Sequence, residues 1–215
     1  MSTARAVALS RRVDHAILAA TAAFGGVALA GLAVLGFGFH EGRSAGASLV
    51  YGLSLAASAF CSFLYNTSGD GAPRAVLRYL DHAAIFLLIA GTYTPFAAAG
   101  IKGPLGGSLL GWVWGLALAG MVLKLALPRT FDRVFIGAYL ALGWLFVSAL
   151  GEVMRTIPMV SLWLLAAGGI AYTVGALIFA KDIGRWTDPV WHACVLAGIV
   201  AHFLAVLAYL AAPIA

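Results

Sequence analysis

Apolar residues run along this chain in seven long blocks, over 16–37, 47–65, 77–99, 105–127, 134–150, 159–180 and 190–212. Short polar stretches rich in Gly, Pro, Ser and charge separate them, such as Asn66-Thr-Ser-Gly-Asp-Gly-Ala-Pro73. A helix needs roughly 20 apolar residues to cross a hydrocarbon core, and each block is close to that length. The blocks are continuous and do not alternate, which predicts helices and excludes the strands of a membrane barrel. The pattern predicts an all-α integral membrane protein, a single seven-helix membrane domain over 1–215, with no room for a soluble domain.

Composition agrees: 63% of the residues are hydrophobic and 10% charged, with a mean hydropathy of +1.00, which no soluble globular domain would show. The basic start followed by an apolar run could suggest a signal peptide, but the run is too long for one and six more follow. Charge then sets direction. Arg5, Arg11, Arg12, Arg74, Arg78, Lys124, Arg129, Arg133, Lys181 and Arg185 fall on the side of the N-terminus, whereas only Arg43, Lys102 and Arg155 fall on the other. The positive-inside rule puts the N-terminus in the cytoplasm and the C-terminus outside. The net charge of +5 belongs to this asymmetry. It suits anionic lipid headgroups and gives no reason to expect nucleic acid. Cys61 and Cys194 lie inside spans, so they predict packing residues and no disulfide framework. Paired glycines such as Gly25-Gly26, Gly106-Gly107 and Gly168-Gly169 predict close helix contacts.

The residues able to do chemistry gather at the expected cytoplasmic ends of three spans. Ser62 and Asn66 close the second, Asp81 and His82 open the third, and Asp188 and His192 open the seventh. Ionisable groups at membrane depth are costly and point to function. Ser62 and Asn66 are four apart, as are Asp188 and His192, so each pair shares a helix face. Each residue also has a plainer reading. Asp188 before Pro189 fits an N-cap, and Asn66 before Thr-Ser-Gly fits a C-terminal helix residue. Ser62 can bond the carbonyl one turn back, and Asp81 can pair with Arg78. His202 lies about 15 Å beyond His192 along the helix and reads as a bundle contact. His15 and His82 read as interfacial. Pro95 should loosen the third helix, with Gly91 leaving space for its ring.

The stretch Leu77-Arg-Tyr-Leu-Asp81-His-Ala-Ala-Ile-Phe-Leu-Leu-Ile-Ala-Gly-Thr-Tyr-Thr-Pro-Phe96 resembles the third helix of bacterial hemolysin III proteins. That family is related to the adiponectin and progestin receptors and, more distantly, to the alkaline ceramidases. Trp191-His192, with Val195-Leu-Ala-Gly198 and His202-Phe203, resembles its seventh helix, and Asp14-His15 the start of its first. The resemblance implies a zinc ion held by three histidines, one from Ser-x-x-x-His in helix two and two from His-x-x-x-His in helix seven, and a nearby aspartate. It also implies a bacterial inner membrane and, through the receptors and ceramidases, lipid amide hydrolysis.

This sequence departs from the pattern. The first motif reads Ser62-Phe-Leu-Tyr-Asn66 and the second Asp188-Pro-Val-Trp-His192, while Arg11 and Arg12 occupy a stretch where relatives often carry an acid. Zinc prefers imidazole, thiolate or carboxylate, and Asn66 offers only an amide oxygen. His192, Asp188 and Asn66 are then the candidate metal ligands of a zinc site that is weak or lost. Two functions follow. One is a sensing, partner-binding or permeability protein with a degenerate metal site. The other is a metal-dependent, ceramide-like lipid amide hydrolase in which Asp81 is the general base and Ser62 helps to hold the oxyanion. A retinal protein is disfavoured, since span seven has no lysine. The charge asymmetry makes its own prediction: single cysteines placed beside Arg74 and Lys102 should label from opposite sides of the membrane. Labelling of both from one side would overturn the topology.

Overall fold

The computed structural model describes residues 3–38, 45–101, 104–127 and 131–212. Arg43, Lys102 and Arg129, used above for orientation, lie outside the described residues. Seven helical segments are long and apolar enough to cross a membrane, and the chain is a multi-pass integral membrane protein. The spans are α1 (Thr3–Gly38), α2 (Ala45–Thr67), α3 (Ala72–Pro95), α4 (Pro104–Ala126), a fifth made of α5 (Asp132–Gly143) and α6 (Leu150–Thr156), then α7 (Met159–Lys181) and α8 (Thr187–Ala211). The helices form a closed ring in which each span packs on the next and α8 returns to α1.

Burial follows from two solvents, hydrocarbon outside and protein inside. Trp112, Trp163 and Val27 are exposed on the surface, while Tyr51, Leu55, Val113 and Val206 are fully buried in the core. Serines and threonines also point inward, including Ser48, Ser54, Ser58 and Ser161, as expected where lipid offers polar groups no partner. Along the seam between α7 and α8, a side chain at Gly168 would strike His202, and one at Gly198 would strike Tyr172. Gly25 and Gly106 sit at similarly close contacts, but Gly26 and Gly107 face open space. Gly91 packs on Ser54 of α2.

Three features depart from the sequence pattern. First, α1 begins at Thr3, well before residue 16, so Arg5, Arg11, Arg12, Asp14 and His15 ride on the helix and do not precede it. Second, α3 widens after Pro95 into a π-helical turn over Phe96–Gly100, because the proline supplies no backbone donor to the ladder. Third, the fifth span is not the continuous run of 134–150. It breaks at Trp144 and passes through a 3₁₀ turn, Leu145–Ala149, before α6.

The cause of that break lies on another helix. The Tyr93 hydroxyl sits 3.0 Å from the Leu142 carbonyl and 2.9 Å from that of Gly143, and accepts from the Phe146 amide at 2.9 Å. One side chain therefore satisfies backbone groups that the interrupted ladder would otherwise leave bare. Trp144 is fixed separately, its indole donating to Thr173 Oγ1 at 3.1 Å. Tyr93→Phe keeps the ring and removes these bonds, and should destabilise the protein by about 1–3 kcal/mol, the cost of buried groups left without partners. Thermal melting in detergent reads the effect, and an unchanged midpoint would show that the break needs no such support.

Candidate functional site

The most informative contact in the bundle joins its first and last helices. His192 Nδ1 lies 2.6 Å from Asp14 Oδ1, with both residues buried. With the proton on Nδ1, the imidazole donates to the carboxylate, and this fixes the ring's orientation and tautomer. Asp14 reaches the contact because α1 extends inward from Thr3. Ser10, Asp14, Leu18 and Thr21 fall on one buried face at the three- and four-residue spacing of a helix. The sequence reading noted Asp14 only as part of a helix-one resemblance. The apolar and small residues at that spacing were the signal that could have placed it in the site.

Asp81 lies close by, within electrostatic reach of His192 and Arg78 and beside Ser62, which lines the same cavity. Asn66 does not point at this group in the same way. Its amide nitrogen donates to the Ser62 carbonyl at 2.9 Å and approaches Ser62 Oγ at 3.4 Å, closing the last turn of α2 and steadying Ser62.

A cavity of about 270 Å³ opens from these side chains into the bundle. Ser62, Asp81, His82 and His192 line it at the N-terminal side, and its walls are mainly apolar and aromatic, among them Tyr93, Trp144 and Trp191. Of the five candidate site residues, Ser62, Asp81 and His192 share this cavity, whereas Asn66 and Asp188 do not line it. His202 lines it further along, held by the Leu165 carbonyl at 3.1 Å and packed edge-on to Tyr172. Tyr139, which the sequence reading did not single out, also lines the cavity and donates to the His82 carbonyl at 3.0 Å.

Two plainer readings are changed by the structure. Asp188 is not the N-cap of α8: the helix starts at Thr187, so Asp188 lies within its first turn and is exposed. The turn is held by Asp182, whose Oδ1 accepts from the Gly184 amide at 3.0 Å and from the Thr187 hydroxyl at 2.9 Å. Those two bonds hold the Asp182 carboxyl below its ordinary pKa. Arg78, in turn, does not take Asp81 as its ion-pair partner but Asp132, at the start of α5.

These residues do not fit a three-histidine zinc site. Among the described residues no group of three or more His, Cys, Asp or Glu side chains is placed to hold a metal ion. The donor set agrees: Asn66 stands where the resemblance implies a histidine and turns its amide into its own helix, while the Asp14 contact leaves the second nitrogen of His192 free.

Comparison with known proteins adds context. A family described as "Haemolysin-III related" matches residues 9–203. "Hemolysin-3" of Bacillus cereus is 37% identical over 160 residues, 74% of this chain and 73% of that protein. The "Hemolysin-3 homolog" of Bacillus subtilis (strain 168) is 36% identical over 160 residues, 74% and 75% of the two chains. The human "Monocyte to macrophage differentiation factor" is 25% identical over 169 residues, 75% and 69%. No solved structure matches.

The contact between α1 and α8 can be weighed by a double-mutant cycle. Asp14→Ala and His192→Ala should each destabilise the bundle, and together cost less than their sum by about 1 kcal/mol or more, because the second change removes a group already left without its partner. Additive losses would mean that the two side chains are neighbours without coupling.

Proposed function

Because this chain belongs to the haemolysin-III-related family but carries residues unsuited to the family's zinc, we infer that it is a metal-independent lipid-binding membrane protein with a sensing role. The observation that carries the reading is Asn66, which stands where the resemblance implies a histidine, donates its amide to the Ser62 carbonyl of its own helix and does not line the cavity.

The occupant is a lipid with one amide or similar polar group. The apolar and aromatic walls of the cavity suit an acyl chain, while Ser62, Asp81 and His192 at one end suit its head. A largely apolar pocket with a few converging polar groups is the usual form of a small-molecule site. Asp81 can accept a hydrogen bond from an amide N–H, and Ser62 can orient that carboxylate. His192, steered by Asp14, offers its second nitrogen as donor or acceptor according to its protonation. Water is kept out by the same walls, which strengthens each of these polar contacts. The Lys and Arg asymmetry supports a cytoplasmic orientation for the polar end of the cavity, where a bound lipid can alter contacts with a cytoplasmic partner.

The test separates binding from metal chemistry. Full-length protein treated with a chelator should still capture a photoactivatable ceramide, and Asp81→Asn should lower capture roughly tenfold through loss of a charged acceptor. In parallel, Asn66→His with Asp188→His should raise zinc retention, and adding His192→Ala should abolish the gain. Capture that requires zinc, or ceramide hydrolysis that stops on chelation, would instead establish the metal-dependent lipid amide hydrolase.

A further inference from the structure

A second polar cluster borders the cavity, which its Asp132 lines, and in it two bases contact a single carboxylate. Arg78 of α3 and Lys124 of α4 are 5% and 2% exposed, as buried as the apolar core. Both turn to one carboxylate: Arg78 Nη2 donates to Asp132 Oδ2, and Lys124 Nζ donates to Asp132 Oδ1. Two cations thus share one anion. A buried charge without a counter-ion is costly, and Arg78 also retains a buried nitrogen, Nη1, with no hydrogen-bond partner among the described residues.

Among the described residues no second carboxylate makes an ion pair with either base. Lys124 lies 4.7 Å from the centre of the Phe135 ring, a contact that softens its desolvation but carries no anion. Asp81 acts on Arg78 at longer range, but among the described residues it forms no ion pair with Arg78, which pairs with Asp132.

We propose that Arg78 and Lys124 form a binding site for the phosphodiester of an anionic phospholipid, drawn from the leaflet at the N-terminal side of the bundle. The guanidinium fork suits phosphate, since two parallel N–H groups can meet two oxygens. Position favours a membrane lipid over a dissolved anion. Lys124 lies in the last turn of α4, and Asp132 opens α5, so the cluster is at the end of the spans, at headgroup level. Asp132 is its accessible member, with the side chain 35% exposed. On neighbouring turns of the same helices, Val76, Leu80, Leu123, Phe131 and Val134 are exposed, giving acyl chains an apolar surface beside the charged one.

The experiment uses the full chain in nanodiscs of phosphatidylcholine with and without phosphatidylglycerol, read by thermal melting and by lipid retained on transfer to detergent. Phosphatidylglycerol should be retained at least about fivefold over phosphatidylcholine, whose tethered cation opposes two buried bases. Asp132→Asn, which removes the carboxylate that both bases contact, should strengthen that preference, and Arg78→Gln should abolish it. If Arg78→Gln does not fold, the increase in Asp132→Asn decides the matter. Equal retention of the two lipids, an unchanged preference in Asp132→Asn, or the same stabilisation from inorganic phosphate alone would overturn the proposal.

Discussion

Hydrocarbon offers an ionisable side chain no solvent, so a charge drawn into this bundle needs a partner at its own depth. The Asp14–His192 contact is the clearest consequence. It ties the first helix to the last, at 2.6 Å, across the closure of the ring. Breaking either side would leave the other buried and unpaired, which costs more than the pair itself contributes. The length of α1, the burial of Ser10 and Thr21 on the same face, and the direction of the His192 ring all follow from satisfying that one requirement.

The spans were legible in the sequence because hydrocarbon imposes a length and a composition that no local accident imitates. Blocks such as 47–65 and 159–180 lie within α2 and α7 almost end to end. The features that escaped are those decided by a distant side chain. Nothing within 134–150 announces a break at Trp144, since the hydroxyl that permits it belongs to Tyr93. Arg78 and Asp81 are three apart and read as natural partners, yet Arg78 pairs with Asp132, 54 residues away. Pro95 was the exception, because a missing backbone donor acts where it stands.

The candidate site was half legible for the same reason. Ser62, Asp81 and His192 could be located from spacing and depth, and they do share one cavity. Whether a fourth residue faces the same space depends on rotation about a helix axis, and Asn66 shows the difference. It shares a helix face with Ser62, but its amide spends its hydrogen bond on its own backbone. Asp14 is obscured because the first apolar block starts at residue 16, so in the sequence it reads as a boundary residue and not as part of a buried helix face.

The two polar clusters are complementary in sign. One gathers Asp14 and Asp81 around a single imidazole, and the other gathers Arg78 and Lys124 around a single carboxylate. Arg78 is close enough to act on Asp81, so each cluster stabilises the other through a poorly screened interior. A ligand that changes the charge of one must therefore change the field felt by the other. An anionic headgroup at Arg78 and Lys124 would weaken the pull of Arg78 on Asp81 and so change the acceptor that a lipid amide would meet in the cavity. Occupancy at the bilayer interface and occupancy at the bundle centre would then be linked by electrostatics alone, with no helix required to move, and by thermodynamic reciprocity each would alter the affinity of the other equally.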